Sequence, residues 1–139
     1  MRAAIALFLI AVLTACGPRA EITSVRTGPQ AKDAAGLYPA DRDVLKNLAD
    51  NGDMADCARP IDHFLYPLTA GADVAPLVDA IAARDGWTAR PGRLGGVHAV
   101  FTGPATVASG GAQIALMEEL GAAHRFNYDG WGAPVVPAC

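Results

Sequence analysis

Pro60-Ile61-Asp62-His63-Phe64-Leu65-Tyr66-Pro67-Leu68 is the stretch whose reading decides the fold. Ile61, His63 and Leu65 fall on one side of an extended chain, and Asp62, Phe64 and Tyr66 on the other. This is the two-residue period of a strand with one apolar face. Gly71 breaks the run. Beyond it, Val74, Leu77, Val78 and Ile81 recur at helical spacing, with Pro76 tolerable in the first turn and Gly86 as C-cap. Trp87 to Arg90 reads as a short strand. Pro91-Gly92 and Gly95-Gly96 bound a loop, and Val97 to Thr102 reads as a second clear strand with Val97, Ala99 and Phe101 on one face. Ser109 is placed to cap a helix carrying Ile114, Met117 and Leu120 on one side, with Gly121 weakening its end. His124 to Tyr128 reads as the last strand, closed by the turn residues Asp129-Gly130.

Working back from Pro60, a helix is expected after Tyr38-Pro39. Proline suits the first helical turn, Asp41 and Asp43 lie near its positive end, and Val44, Leu45 and Leu48 make an apolar stripe. Asn51-Gly52 supplies the stop. The order is then helix followed by β-α-β-β-α-β. The expected fold is α+β and ferredoxin-like: a four-stranded antiparallel sheet with two helices on one face, preceded by an N-terminal helix. The right-handed crossover rule sets the third of these strands between the first and second. Such a fold names no function, because many unrelated activities use it.

The N-terminus has a different character. Arg2 precedes an apolar run, Ala3 to Leu13, which is too short to span a bilayer and has the length of a signal-peptide core. It ends in Leu13-Thr14-Ala15-Cys16, which resembles the bacterial lipobox. On that reading residues 1–15 are a lipoprotein signal peptide, and Cys16 carries the lipid. An ordinary signal peptide, or a short apolar helix with a chance cysteine, is the plainer alternative. Acyl chains add about 0.8 kcal/mol per buried CH₂, and more than one makes anchoring stable. The expected location is a periplasm-facing membrane anchor, and Gly17 (rather than Asp) after the cysteine leans toward the outer membrane. Residues 16–36, rich in small and polar types, read as a flexible tether with its ends about 25 Å apart. Residues 37–139 then form the folded domain.

Removing residues 1–15 from the 139 leaves a length suited to one domain. The chain has 11 Lys+Arg against 14 Asp+Glu, a net charge of −3, one unit more negative once Arg2 is cut away. An acidic domain without a basic cluster is a poor match for a nucleic acid backbone. Aromatic residues make up only 6% of the chain, so the core is expected to be mainly aliphatic. With Cys16 given to lipid, Cys57 and Cys139 remain as a pair in an oxidising compartment, either bridged or as two free thiols.

Three stretches carry a family resemblance: Leu48-Ala49-Asp50-Asn51-Gly52-Asp53, Pro60 to Tyr66, and Phe126-Asn127-Tyr128-Asp129-Gly130-Trp131-Gly132. Their order and spacing, from about Asp41 to about Val135, resemble the regulator of ribonuclease activity B family, the ribonuclease E inhibitor B domain. The resemblance implies a ferredoxin-like domain that binds a protein partner and has no chemistry of its own. It makes His63, Tyr128, Asp129, Gly130 and Trp131 the motif residues and candidates for partner binding. The lipobox departs from the family, because ribonuclease E works in the cytoplasm. Fold and binding character carry over; ribonuclease E as target does not. The expected partner is an unidentified protein of the cell envelope, with no cofactor.

Other chemistries weigh against that reading. His63 shares its face with Ile61 and Leu65, which suits a buried, hydrogen-bonded imidazole; an envelope enzyme using His63 and Asp129 is the rival. A metal site from His63, His98 and Asp129 lacks any recognisable ligand spacing. Gly110-Gly111 lacks the flanking residues of a phosphate loop, and Ser24 and Ser109 have no visible base. Phe64 and Tyr66 on an open sheet face could stack RNA bases, which net charge and export oppose. A genuine ribonuclease E regulator with a fortuitous lipobox is a further alternative.

Overall fold

Alternate burial along Arg59–Pro67 follows the alternation of its sequence. Arg59, Ile61, His63 and Leu65 are buried, while Asp62, Phe64 and Tyr66 are partly exposed. This strand, β2, is the axis of the computed structural model, which describes residues 21–24 and 30–139. The expected signal peptide, the Cys16 lipidation site and most of the 16–29 stretch lie outside the described residues. In chain order the elements are β1 (Glu21–Thr23), α1 (Pro39–Asp50), β2, α2 (Ala75–Ala82), β3 (Trp87–Pro91), β4 (Val97–Gly103), α3 (Val107–His124) and β5 (Phe126–Pro134), with a 3₁₀ turn at Arg93–Gly95 between β3 and β4. The fold is α+β. Its sheet is antiparallel throughout, in the order β1-β5-β2-β4-β3. The four strands β5-β2-β4-β3 and the three helices are compatible with a ferredoxin-like arrangement, and β1 extends the sheet beyond β5.

The core lies between one face of the sheet and the helices. Ile61, Leu65, Val97, Ala99 and Phe126 from the strands meet Leu77 and Ile81 of α2 and Ile114 and Met117 of α3. Val44 and Leu48 of α1 join the same cluster. Burying side chains of this type contributes about 1.5–3 kcal/mol each before entropy is charged against it.

Several local expectations change. The last strand does not stop at an Asp129-Gly130 turn but runs through it to Pro134. Phe64 pairs with Gly130 and Leu65 with Tyr128, so Asp129 is the extra residue of a bulge. Gly130 has φ +144, and a Cβ there would come within 2.8 Å of the Ser24 carbonyl oxygen. An Asp-Gly pair signals a turn locally, but here pairing with β2 keeps the chain extended. The cap of α3 is Thr106, whose hydroxyl accepts from the Ser109 amide, and not Ser109 itself. Gly121 sits inside α3 because a Cβ would meet the Phe126 carbonyl oxygen at 2.9 Å and Leu65 Cδ2 at 3.1 Å; it permits close packing rather than ending the helix. Helix α2 ends at Ala82, and Gly86 (φ +80) instead turns the chain into β3.

Two described pieces of the expected 16–36 tether make contacts with the rest of the chain. Glu21–Thr23 pairs with Gly132–Pro134 of β5; the Ser24 amide donates to the Trp131 carbonyl at 3.0 Å, and the Trp131 amide donates back to Ser24 Oγ at 3.3 Å. Nearer α1, Asp33 accepts from the Ala35 and Leu37 amides, and Lys32 pairs with Glu118 of α3. A Cβ on Gly111 would lie 2.0 Å from the Ala35 carbonyl oxygen, so the 33–37 loop rests on α3. These segments lack an apolar period because their order comes from partners far along the chain.

Candidate functional site

His63 sits near the middle of β2 and is 1% exposed. Its Nε2 lies 2.9 Å from Gln113 Oε1 on α3, and its Nδ1 lies 2.9 Å from the Tyr128 hydroxyl on β5. The Gln113 amide in turn donates to Ser109 Oγ at 2.6 Å. With Gln113 Oε1 accepting, His63 carries a proton on Nε2, and the Tyr128 hydroxyl is the partner of Nδ1. Each ring nitrogen of His63 thus faces a polar partner inside the domain. The rings of Trp87 and Tyr128 flank it at centroid distances of 5.0 and 5.9 Å. Removing one partner from a buried network of this kind costs about 1–3 kcal/mol.

There are two further buried polar arrangements among the described residues, one of which holds Trp131. Asp41, fully buried, accepts from the Trp131 indole N–H at 2.9 Å and from the Tyr38 amide at 2.9 Å. Arg59 pairs with Asp53, their side chains 1% and 2% exposed, and its Nε donates to the Cys57 carbonyl at 3.0 Å. Asp53 also accepts from the Val136 amide at 2.7 Å. Beside this pair Cys57 and Cys139 form a disulfide with Cα atoms 5.4 Å apart.

Among the described residues, no helix covers the other face of the sheet. Phe64 and Tyr66 of β2, His98 of β4, Arg90 of β3 and Arg93 of the 3₁₀ turn line a groove of about 510 Å³. Phe64 and His98 stack with ring centroids 5.3 Å apart and planes 8° from parallel. His98 Nε2 meets Asp62 Oδ1 at 2.5 Å. A Cβ on Gly96 would stand 2.5 Å from the Leu65 carbonyl oxygen, so the β3–β4 turn is seated tightly on β2. A second groove, about 410 Å³ and mainly apolar, runs between α1 and the start of α3 past Leu45 and Ala105.

The structure therefore divides the candidates. Tyr128 and Trp131, 5% and 3% exposed, are inside the domain and cannot serve as surface anchors for a partner. Gly130 is buried, and Asp129 is exposed on its bulge. His63 and Asp129 are not brought together as a catalytic pair, because both His63 ring nitrogens already face Tyr128 and Gln113. His63 and His98 point to opposite faces of the sheet, and no cluster of three or more His, Cys, Asp or Glu able to hold a metal occurs among the described residues. Sequence reasoning missed Gln113, Asp41 and the two arginines. A signal existed for Gln113: with Ser109 it forms a four-residue polar pair leading into the stripe of Ile114 and Met117. Arg90 and Arg93 gave none, since only strand order sets them beside Phe64 and Tyr66. No family model matches the chain, and no curated protein matches it.

Proposed function

We propose that the chain is a bacterial lipoprotein, anchored through Cys16 and facing the periplasm, whose folded part is a non-catalytic protein-binding domain. We assign that domain the ferredoxin-like topology and a kinship with the ribonuclease E inhibitor B family, with a partner other than ribonuclease E. The observation that carries the reading is the groove on the open sheet face, where Phe64, Tyr66, Arg90 and Arg93 converge. Arginine and tyrosine are the residue types that dominate binding energy at protein interfaces. Supporting it, the imidazole singled out as a catalytic candidate faces Tyr128 and Gln113 inside the domain. The Cys57–Cys139 bridge fits an oxidising compartment, where disulfides persist.

Two measurements test the reading. Labelled palmitate is expected to enter the wild type and not Cys16→Ala; equal incorporation in both sinks the anchor. Tagged protein recovered from solubilised envelope is expected to retain a partner that is lost on Arg90→Glu with Arg93→Glu. Recovery mainly of ribonuclease E and its associates would instead establish the family's founding role.

A further inference from the structure

We infer that the open-face groove and the β3–β4 turn bind an acidic segment of a partner protein that presents an apolar side chain, an inference that rests on the binding-domain reading above. The charge argument comes first. In a chain of net charge −3, the groove is lined by two arginines and no acidic residue. Asp62, next to it, is already engaged by His98. Two guanidinium groups beside stacked rings recognise carboxylates bidentately and lay their planes on apolar or aromatic groups.

The turn supplies the second argument. Leu94 lies at its tip, 88% exposed, with φ 54 and ψ 30. That left-handed conformation suits Gly or Asn, and a leucine there neither relaxes the backbone nor gains burial. Strain of this sort, observed at a display position, points to a contact made outside the chain. Leu68, 64% exposed, follows the end of β2, and a Cβ on Gly95 would lie 4.0 Å from the Pro67 ring. The two exposed leucines thus flank the same end of the sheet. They lie outside the groove, so their apolar surface extends the footprint beyond a small molecule held within it and fits a polypeptide. The β3 edge is blunted for strand addition at both ends: Pro91 has no amide to offer, and the Trp87 amide is bonded to the Arg84 carbonyl.

The test is a ¹⁵N NMR titration of the full chain, disulfide intact, in detergent. The probe is a synthetic peptide of Asp and Glu with one central Leu. Controls are its Lys counterpart, the acidic peptide without Leu, and oligouridylate. Saturable shifts are expected at Phe64, Tyr66, Arg90, Leu94 and His98 with the acidic-Leu peptide. Arg90→Glu with Arg93→Glu is expected to weaken binding by about tenfold or more at an unchanged melting temperature. Leu94→Asn is expected to weaken it about threefold while holding or raising the melting temperature, because the turn relaxes. Equal binding of the Lys peptide, or no saturable shift, overturns the inference. Tighter binding of oligouridylate at the same residues also overturns it, in favour of nucleic acid. Shifts confined to the groove between α1 and α3 overturn the site while leaving the binding-domain reading intact.

Discussion

On the inner side of β2, His63 is 1% exposed and bonded at both nitrogens; one residue along, Phe64 stacks on His98 and borders a groove open to solvent. Both faces carry polar and aromatic groups, and both contain a histidine. What separates them is how completely those groups are committed. Inside, imidazole, hydroxyl and amide satisfy one another, and the network's free energy goes into holding α3 and β5 against β2. Outside, guanidinium groups and rings are held near one another with capacity to spare. Composition near a strand therefore says little about function until the facing side chains have been assigned.

The inner face is the place to break this contrast most forcefully. Arg59→Ala leaves the Asp53 carboxylate buried without its cation, and a loss of about 3–5 kcal/mol is expected in denaturant unfolding. A loss below about 1 kcal/mol would mean that this end of β2 is wetter than its burial implies. His63→Ala is expected to cost about 1–3 kcal/mol, read the same way. An unchanged melt, together with a proton or metal titration assigned to His63, would move the residue to the functional side of the comparison.

Double-mutant cycles sharpen the contrast. His63→Ala and Tyr128→Phe share a hydrogen bond and are expected to couple by about 0.5 kcal/mol or more, whereas His63→Ala and Asp129→Asn are expected to add within about 0.5 kcal/mol. Coupling in the second cycle, measured on stability or on any activity found, would revive the catalytic pair. On the outer face, Arg90→Ala is expected to leave stability within about 0.5 kcal/mol of wild type. The smallest effect belongs to Asp33. The hydrogen bond from Arg42, followed by the Leu37 amide, holds its carboxyl below the ordinary 3.8. Its contribution is present above that value and lost as pH falls through the depressed one. In a carboxyl NMR titration, Arg42→Ala is expected to return the midpoint toward 3.8.

Legibility followed the range of the interactions. The alternation in Pro60 to Tyr66 was readable because each residue's face depends only on its own position in the strand. The stripe of α1 was readable for the same reason, from Val44 and Leu48. The Asp129 bulge was not, because Asp-Gly acts as a turn unless a neighbouring register overrides it, and that register belongs to β2. Strand β1 was invisible since three residues make a strand only by pairing with β5. Within the inner site, His63 was legible as a buried imidazole, while its partners Gln113 and Tyr128 stand 50 and 65 residues away. The outer groove is half legible: alternation along β2 turns Phe64 and Tyr66 outward, but Arg90 and Arg93 join them only through the placement of β3 beside β4.

The bridge between Cys57 and Cys139 spans 82 positions and encloses all of β2, α2, β3, β4, α3 and β5, leaving β1 and α1 outside. The sheet's four main strands therefore belong to one covalent ring. A protease that cuts a single loop inside it, at the exposed Leu94 turn for instance, opens the ring without releasing either piece. The nicked domain keeps its mass and can keep its fold until a reductant separates the halves. A cut at this exposed turn thus leaves the domain's shape intact, if not its chain continuity, for as long as the surroundings remain oxidising.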